Sequence, residues 1–176
     1  MMKAKQKKRI IGGDKLILIG AIIVVFVLFT SLNRNFLSWT NIVNLLIAAS
    51  LVGLVAIGHT YLIIAGQNDL SPGSLAALGG VVAALLVSQG LPFGVSLIIT
   101  VVVGALVGAF NAWMVNCIKL EAFIATLVTQ TIIRGFAYIL CDGKPVSISD
   151  STFLRIGKIR FLTIPLSVWI MLIAIV

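Results

Sequence analysis

The strongest constraint on this chain is a series of long apolar runs separated by short polar links. They lie at 16–32, 42–65, 71–88, 95–115, 122–140 and 164–176. The first contains no charged residue. In hydrocarbon every backbone N–H and C=O must be satisfied within the segment, so such runs become helices, each needing about 20 residues to cross. The last run, as helix, reaches only about 20 Å of the ~30 Å core.

The sequence therefore predicts an all-α, polytopic transmembrane helical bundle with five full spans and the start of a sixth. Residues 1–15 read as a basic cytoplasmic tail. Residues 16–176 read as a membrane domain that is truncated, the N-terminal portion of a longer protein. Only 10% of the residues are charged against 60% hydrophobic. Soluble domains carry about 25% charged residues, and disorder requires low hydrophobicity, so both alternatives are excluded.

The net charge of +8 does not indicate nucleic acid. Lys3, Lys5, Lys7, Lys8, Arg9 and Lys15 all precede the first run, and only Arg34 follows it closely. This asymmetry predicts a cytoplasmic N-terminus by the positive-inside rule. Thr30-Ser31-Leu32-Asn33 lacks the small-residue pattern of a cleaved signal peptide. Counting spans then places the polar stretch 141–163 outside, with Ser149 open to labelling. That stretch carries Lys144, Arg155, Lys158 and Arg160 against Asp142 and Asp150, which strains the rule. A rival topology makes 71–88 a re-entrant hairpin and puts the stretch inside.

Several polar residues sit where hydrocarbon disfavours them. Asp69 lies between two apolar runs. Ser71 is expected to cap the next helix, with Pro72 at its first position, and Asp69 would then lie at the positive end of that helix. Two readings of Asp69 stay open: a capped turn at the membrane surface, or a broken helix facing a substrate path. Thr126, Gln130 and Arg134 recur at four-residue spacing, with Thr129 close by, and are expected to form one inward face. An arginine in a span costs about 3 kcal/mol or more unless it snorkels or pairs. Asn111 is a candidate neighbour of that face. Polar glue between helices and direct substrate contact both account for it.

His59 is expected to be a hydrogen-bonded packing residue rather than a substrate contact. The rows Gly104, Gly108, Ala112 and Ala76, Gly80, Ala84 are expected to let helices approach closely. Cys117 and Cys141, separated by a helix of roughly 36 Å, are too far apart for an intrachain disulfide. The sequence contains no phosphate-loop, zinc-protease or nucleophile-elbow motif. No motif supports a Ser71–His59 hydrolase dyad. The chain is expected to be no enzyme and to carry no cofactor and no metal.

The stretch Gly58 to Gly80, with Gly66-Gln67-Asn68-Asp69-Leu70-Ser71-Pro72-Gly73-Ser74 at its centre, resembles a signature of bacterial ABC sugar-importer permeases of the ribose/galactose/xylose group. Further matches are Ala122-Phe123-Ile124-Ala125-Thr126-Leu127, then Arg134-Gly135 and Gly143-Lys144-Pro145-Val146, and Ile164-Pro165-Leu166-Ser167-Val168-Trp169-Ile170-Met171. The last is closest to the ribose permeases. Gln67-Asn68 and Pro72 depart from the family pattern, while Asp69-Leu70-Ser71 keeps it.

The resemblance implies a multi-pass subunit of the bacterial cytoplasmic (inner) membrane that moves a monosaccharide by alternating access. It implies as partners a second permease subunit (a homodimer), a cytoplasmic ATP-binding subunit that hydrolyses ATP, and a periplasmic sugar-binding protein. A fragment of this length would be inactive alone. The candidates for a substrate path or helix break are Asp69, Ser71, Gly73, Ser74, Asn111, Thr126, Gln130 and Arg134. The alternatives are an ion- or proton-coupled carrier using Asp69, or a non-transporting membrane scaffold.

Overall fold

The computed structural model describes residues 13–148 and 150–175. The basic residues from Lys3 to Arg9, and Ser149, lie outside them. About three quarters of the described residues are helical, in α1 (Gly13–Leu32), α2 (Trp39–Ile64), α3 (Pro72–Ser88), α4 (Phe93–Asn116), α5 (Ala122–Leu140), α6 (Ser151–Ile156) and α7 (Leu166–Ile175). Between α6 and α7 lies a small antiparallel hairpin, β1 (Arg160–Phe161) and β2 (Ile164–Pro165), with Phe161 opposite Ile164.

Two expectations differ in part from the structure. First, among the described residues α1, α2, α4 and α5 are by themselves long and apolar enough to cross a membrane, four of the five full spans expected. The third run falls short because Pro72 starts the helix and residues up to Ser71 form the preceding turn. The 17 residues of α3 reach only about 25 Å. Second, the stretch 141–163 is not a plain polar loop, since it holds α6 and β1. The final apolar run also starts in β2, so α7 begins at Leu166.

The chain divides into two compact units, residues 1–46 and 47–176. In the first, Phe36 after α1 folds back on that helix. Its ring meets Phe26 edge-on at 5.4 Å and stacks on Phe29 at 5.6 Å. The Asn41 side-chain amide donates to the Phe36 carbonyl at 2.7 Å and holds the link that leads into α2.

The second unit is organised around α3, which packs on both α4 and α5. Leu78 of α3 and Ile133 and Ala137 of α5 are buried together, with Val103 and Val107 of α4 against them. α6 is capped by Asp150, whose carboxylate accepts from the Phe153 N–H at 2.6 Å. Phe153 then packs edge-on against Phe93 at the start of α4, with ring centroids 5.5 Å apart. The Trp169 indole N–H donates to the Phe161 carbonyl at 3.2 Å, joining the hairpin to α7. α7 meets α2 through Ser50 and Ser167, whose hydroxyls lie 2.9 Å apart. Large apolar side chains such as Ile98, Leu106 and Ile132 point outward. In water this would be one large sticky surface, whereas in lipid it costs nothing.

Candidate functional site

The break between α2 and α3 is built by local chemistry. Gly66 adopts φ +73°, a left-handed conformation that L side chains resist. This lets the Gln67 N–H reach back to the Leu62 carbonyl at 2.8 Å and close the end of α2. Asp69 then turns the chain. One of its carboxylate oxygens, Oδ1, accepts from both the backbone N–H and the hydroxyl of Ser71, each at 2.7 Å. Ser71 precedes α3 but makes no side-chain cap. Its hydroxyl is committed to Asp69 instead, which corrects the expected capping role.

Two neighbouring helices hold this turn. From α4, the Asn111 amide nitrogen donates to Ser71 Oγ at 3.2 Å. From α5, the Thr126 hydroxyl donates to its own helix at the Ala122 carbonyl, 2.8 Å away, and accepts from the Leu70 N–H at 3.2 Å. Ser71, Asn111 and Thr126 are all buried, and Asp69 is half-buried. A cavity of about 460 Å³ lies beside them, lined by Gln67, Asn68, Asp69, Ser71, Asn111 and Thr126 among others. Asn111 Oδ1 and Thr129 Oγ1 are buried without a hydrogen-bond partner among the described residues. Asn111 thus serves the turn directly and shares a cavity lining with Thr126, while Gln130 and Arg134 line a different groove.

The expected single inward face of α5 is also corrected. Its buried residues are Ala122, Ala125, Thr126, Thr129, Ile133 and Ala137. Thr126 belongs to this set, but Gln130 is half-buried and Arg134 exposed. Residues four apart on a helix advance by about 40° around the axis, so two such steps carry Arg134 out of the packed stripe. Ser74, Gln130 and Arg134 meet elsewhere, along a groove of about 750 Å³ shared by α3 and α5. Gly73 is exposed, and a Cβ there would touch nothing within 4 Å. The candidates thus fall into two places: the turn (Asp69, Ser71, Asn111, Thr126) and the groove (Ser74, Gln130, Arg134).

Close helix approach also occurs elsewhere than expected. Gly80, Gly104 and Gly108 have open space around them. A Cβ at Gly53 would instead overlap the Met171 sulfur, and one at Gly79 would come within 3.3 Å of Thr100 Cγ2. Sequence reasoning missed Ser50, Gly53 and Tyr138. Ser50 and Gly53 lie three residues apart on α2, and Tyr138 continues the four-residue spacing of Gln130 and Arg134. Among the described residues no group of three or more His, Cys, Asp or Glu comes together in a metal-binding arrangement.

Residues 41–176, which include both places, match the family described as "Branched-chain amino acid transport system / permease component". The ribose import permease protein RbsC of Haemophilus influenzae is 38% identical over 155 residues, covering 86% of this chain and 48% of that protein. The xylose transport system permease protein XylH of Escherichia coli is 36% identical over 144 residues, covering 81% and 37%. The L-arabinose transport system permease protein AraH of Escherichia coli is 31% identical over 154 residues, covering 86% and 47%. The chain therefore spans half or less of the length of these curated relatives. No solved structure matches it. Four apolar helices of membrane-spanning length, a polar break pinned by two neighbouring helices and a match across residues 41–176 lead to one conclusion: this chain is a membrane protein of the branched-chain amino acid transport system / permease component family.

Proposed function

We propose that this chain is membrane-spanning sequence of an ATP-binding-cassette importer for a monosaccharide such as ribose. The observation that carries this reading is its similarity to ribose, xylose and arabinose permeases over the residues that form the turn and the groove. Transport proceeds by alternating access in the bacterial inner membrane. The chain performs no covalent chemistry and holds no cofactor, because a separate cytoplasmic ATP-binding subunit hydrolyses ATP. A second permease subunit, in a homodimer, and a periplasmic sugar-binding protein complete the assembly.

In this reading the N-terminus is cytoplasmic and residues 16–176 form the membrane domain. The short α3 completes a fifth crossing together with the turn before it, and α7 begins a sixth. Asp69, Ser71, Gly73, Asn111 and Thr126 form a helix break whose shape the transport cycle uses, while Ser74, Gln130 and Arg134 face the substrate path. The test is uptake of labelled ribose, xylose and arabinose into proteoliposomes holding the complete transporter that contains this chain, with its ATPase and binding protein. ATP-dependent accumulation of a monosaccharide is expected. Failure of all three sugars, with intact ATP hydrolysis, would sink the reading.

A further inference from the structure

The groove between α3 and α5 has polar chemistry that the packing of the chain does not use. Gln130, Arg134 and Tyr138 stand at four-residue spacing on α5, each about 6 Å along the axis from the last. Ser74 faces the same groove from α3. Thr131 also lines it, but its hydroxyl is spent on the Leu127 carbonyl at 3.0 Å. The polar heads of Ser74, Gln130, Arg134 and Tyr138 enter no hydrogen bond or ion pair among the described residues.

Tyr138 is held in place by the turn that ends α5. Gly143 has φ +66°, and its N–H donates to the Tyr138 carbonyl at 2.9 Å. A Cβ at Gly143 would lie 2.8 Å from both Cζ and Oη of Tyr138, so the phenol ring lies across bare backbone. Tyr138 is 68% exposed and borders the groove.

Resting on the reading of the chain as monosaccharide-permease sequence, we propose that Gln130, Arg134 and Tyr138, with Ser74, form a specificity-determining contact site for the vicinal hydroxyls of a neutral sugar. The donor set fits that chemistry. A guanidinium offers two parallel N–H groups to adjacent oxygens. The Gln130 amide and the Ser74 hydroxyl can each donate and accept, as sugar hydroxyls do. The Tyr138 ring offers an apolar face for the C–H side of the sugar. No carboxylate lines the groove. Its volume of about 750 Å³ falls in the usual range for small-molecule sites, about 300–1,000 Å³. Ser74 is buried and Gln130 half-buried, so a sugar lacking the hydroxyl that these two bond would leave them unpaired and be disfavoured.

The experiment uses the complete transporter in proteoliposomes with saturating binding protein, so that the binding protein's own affinity does not set the rate. Uptake rates of ribose, xylose and arabinose are measured for wild type, Tyr138→Ala, Tyr138→Phe and Gln130→Leu. Tyr138→Ala and Gln130→Leu are expected to change the ratio of rates between sugars by about threefold to tenfold, which corresponds to about 0.7–1.4 kcal/mol of discrimination. Tyr138→Phe, which keeps the ring, is expected to change it less. If wild type imports no monosaccharide, the underlying functional reading fails. If wild type imports sugar and the variants keep its sugar ratios, or slow every sugar equally in step with membrane abundance, the contact site is overturned. Competition of uptake by inorganic phosphate, relieved in Arg134→Gln, would replace it with an anion site.

Discussion

At the scale of single residues, Asp69 and Thr126 decide whether the α2–α3 break holds its shape. Asp69 Oδ1 receives two hydrogen bonds from Ser71, and bonds to a charged group contribute about 1.5–3 kcal/mol each. Asp69→Ala removes the acceptor and is expected to abolish uptake by the complete transporter while the protein still reaches the membrane. Asp69→Asn keeps an acceptor oxygen and is expected to retain part of the activity. Uptake of Asp69→Ala within a factor of two of wild type would reduce Asp69 to a turn residue. Thr126→Val leaves the partly exposed Leu70 N–H without its partner inside the protein, at a cost of about 0.5–1.5 kcal/mol. Thr126→Ser restores the oxygen and most of that loss. Hydrogen exchange at the Leu70 amide reports the difference: accelerated in Thr126→Val and near wild type in Thr126→Ser.

At the scale of elements, the contact of α7 with α2 shows how small residues act in this chain. The Ser50–Ser167 hydrogen bond and the space above Gly53 let the two helices meet. Gly53→Ala pushes a methyl group into the Met171 sulfur. Methionine is flexible and can yield, so the expected cost is about 1 kcal/mol, at the low end of overpacking. Gly53→Val adds branches that Met171 cannot clear and is expected to cost more. Met171→Ala combined with Gly53→Ala is expected to recover most of the loss. The measurement is the thermal midpoint of the detergent-solubilised protein for the singles and the double. Additive losses in the double variant would mean that the two side chains do not meet.

At the scale of the whole molecule, the proposed sidedness can be read from the native thiols. Cys117 follows α4 and Cys141 follows α5, so the 19-residue α5 separates them. Both are free cysteines. With a cytoplasmic N-terminus and α3 completing a crossing, as proposed, Cys141 faces outward and Cys117 inward. A membrane-impermeant maleimide on intact cells is expected to label the variant that retains only Cys141, and to label the Cys117-only variant after permeabilisation. The reverse pattern would favour the topology with a re-entrant third segment. This labelling takes over the role of Ser149, which lies outside the described residues.

Helix existence and approximate bounds were legible in the sequence, because an uninterrupted apolar run has no other way to satisfy its backbone in hydrocarbon. The run at 122–140 coincides with α5, and the break around Asp69 was marked by Gly66 and Pro72. The facing of the helices was not legible. The run 16–32 is apolar on nearly every side, 95–115 carries only Ser96, Thr100 and Asn111 as polar markers, and α5, with its polar residues, carried a spacing that drifts by about 40° every four residues. Only the tertiary structure separated buried Thr126 from exposed Arg134, gave Asn111 to Ser71 across 40 residues of chain, and joined Ser50 to Ser167 across 117. Apolar composition commits a segment to helix through its own backbone, whereas a polar side chain's partner is chosen by whichever helix packs beside it.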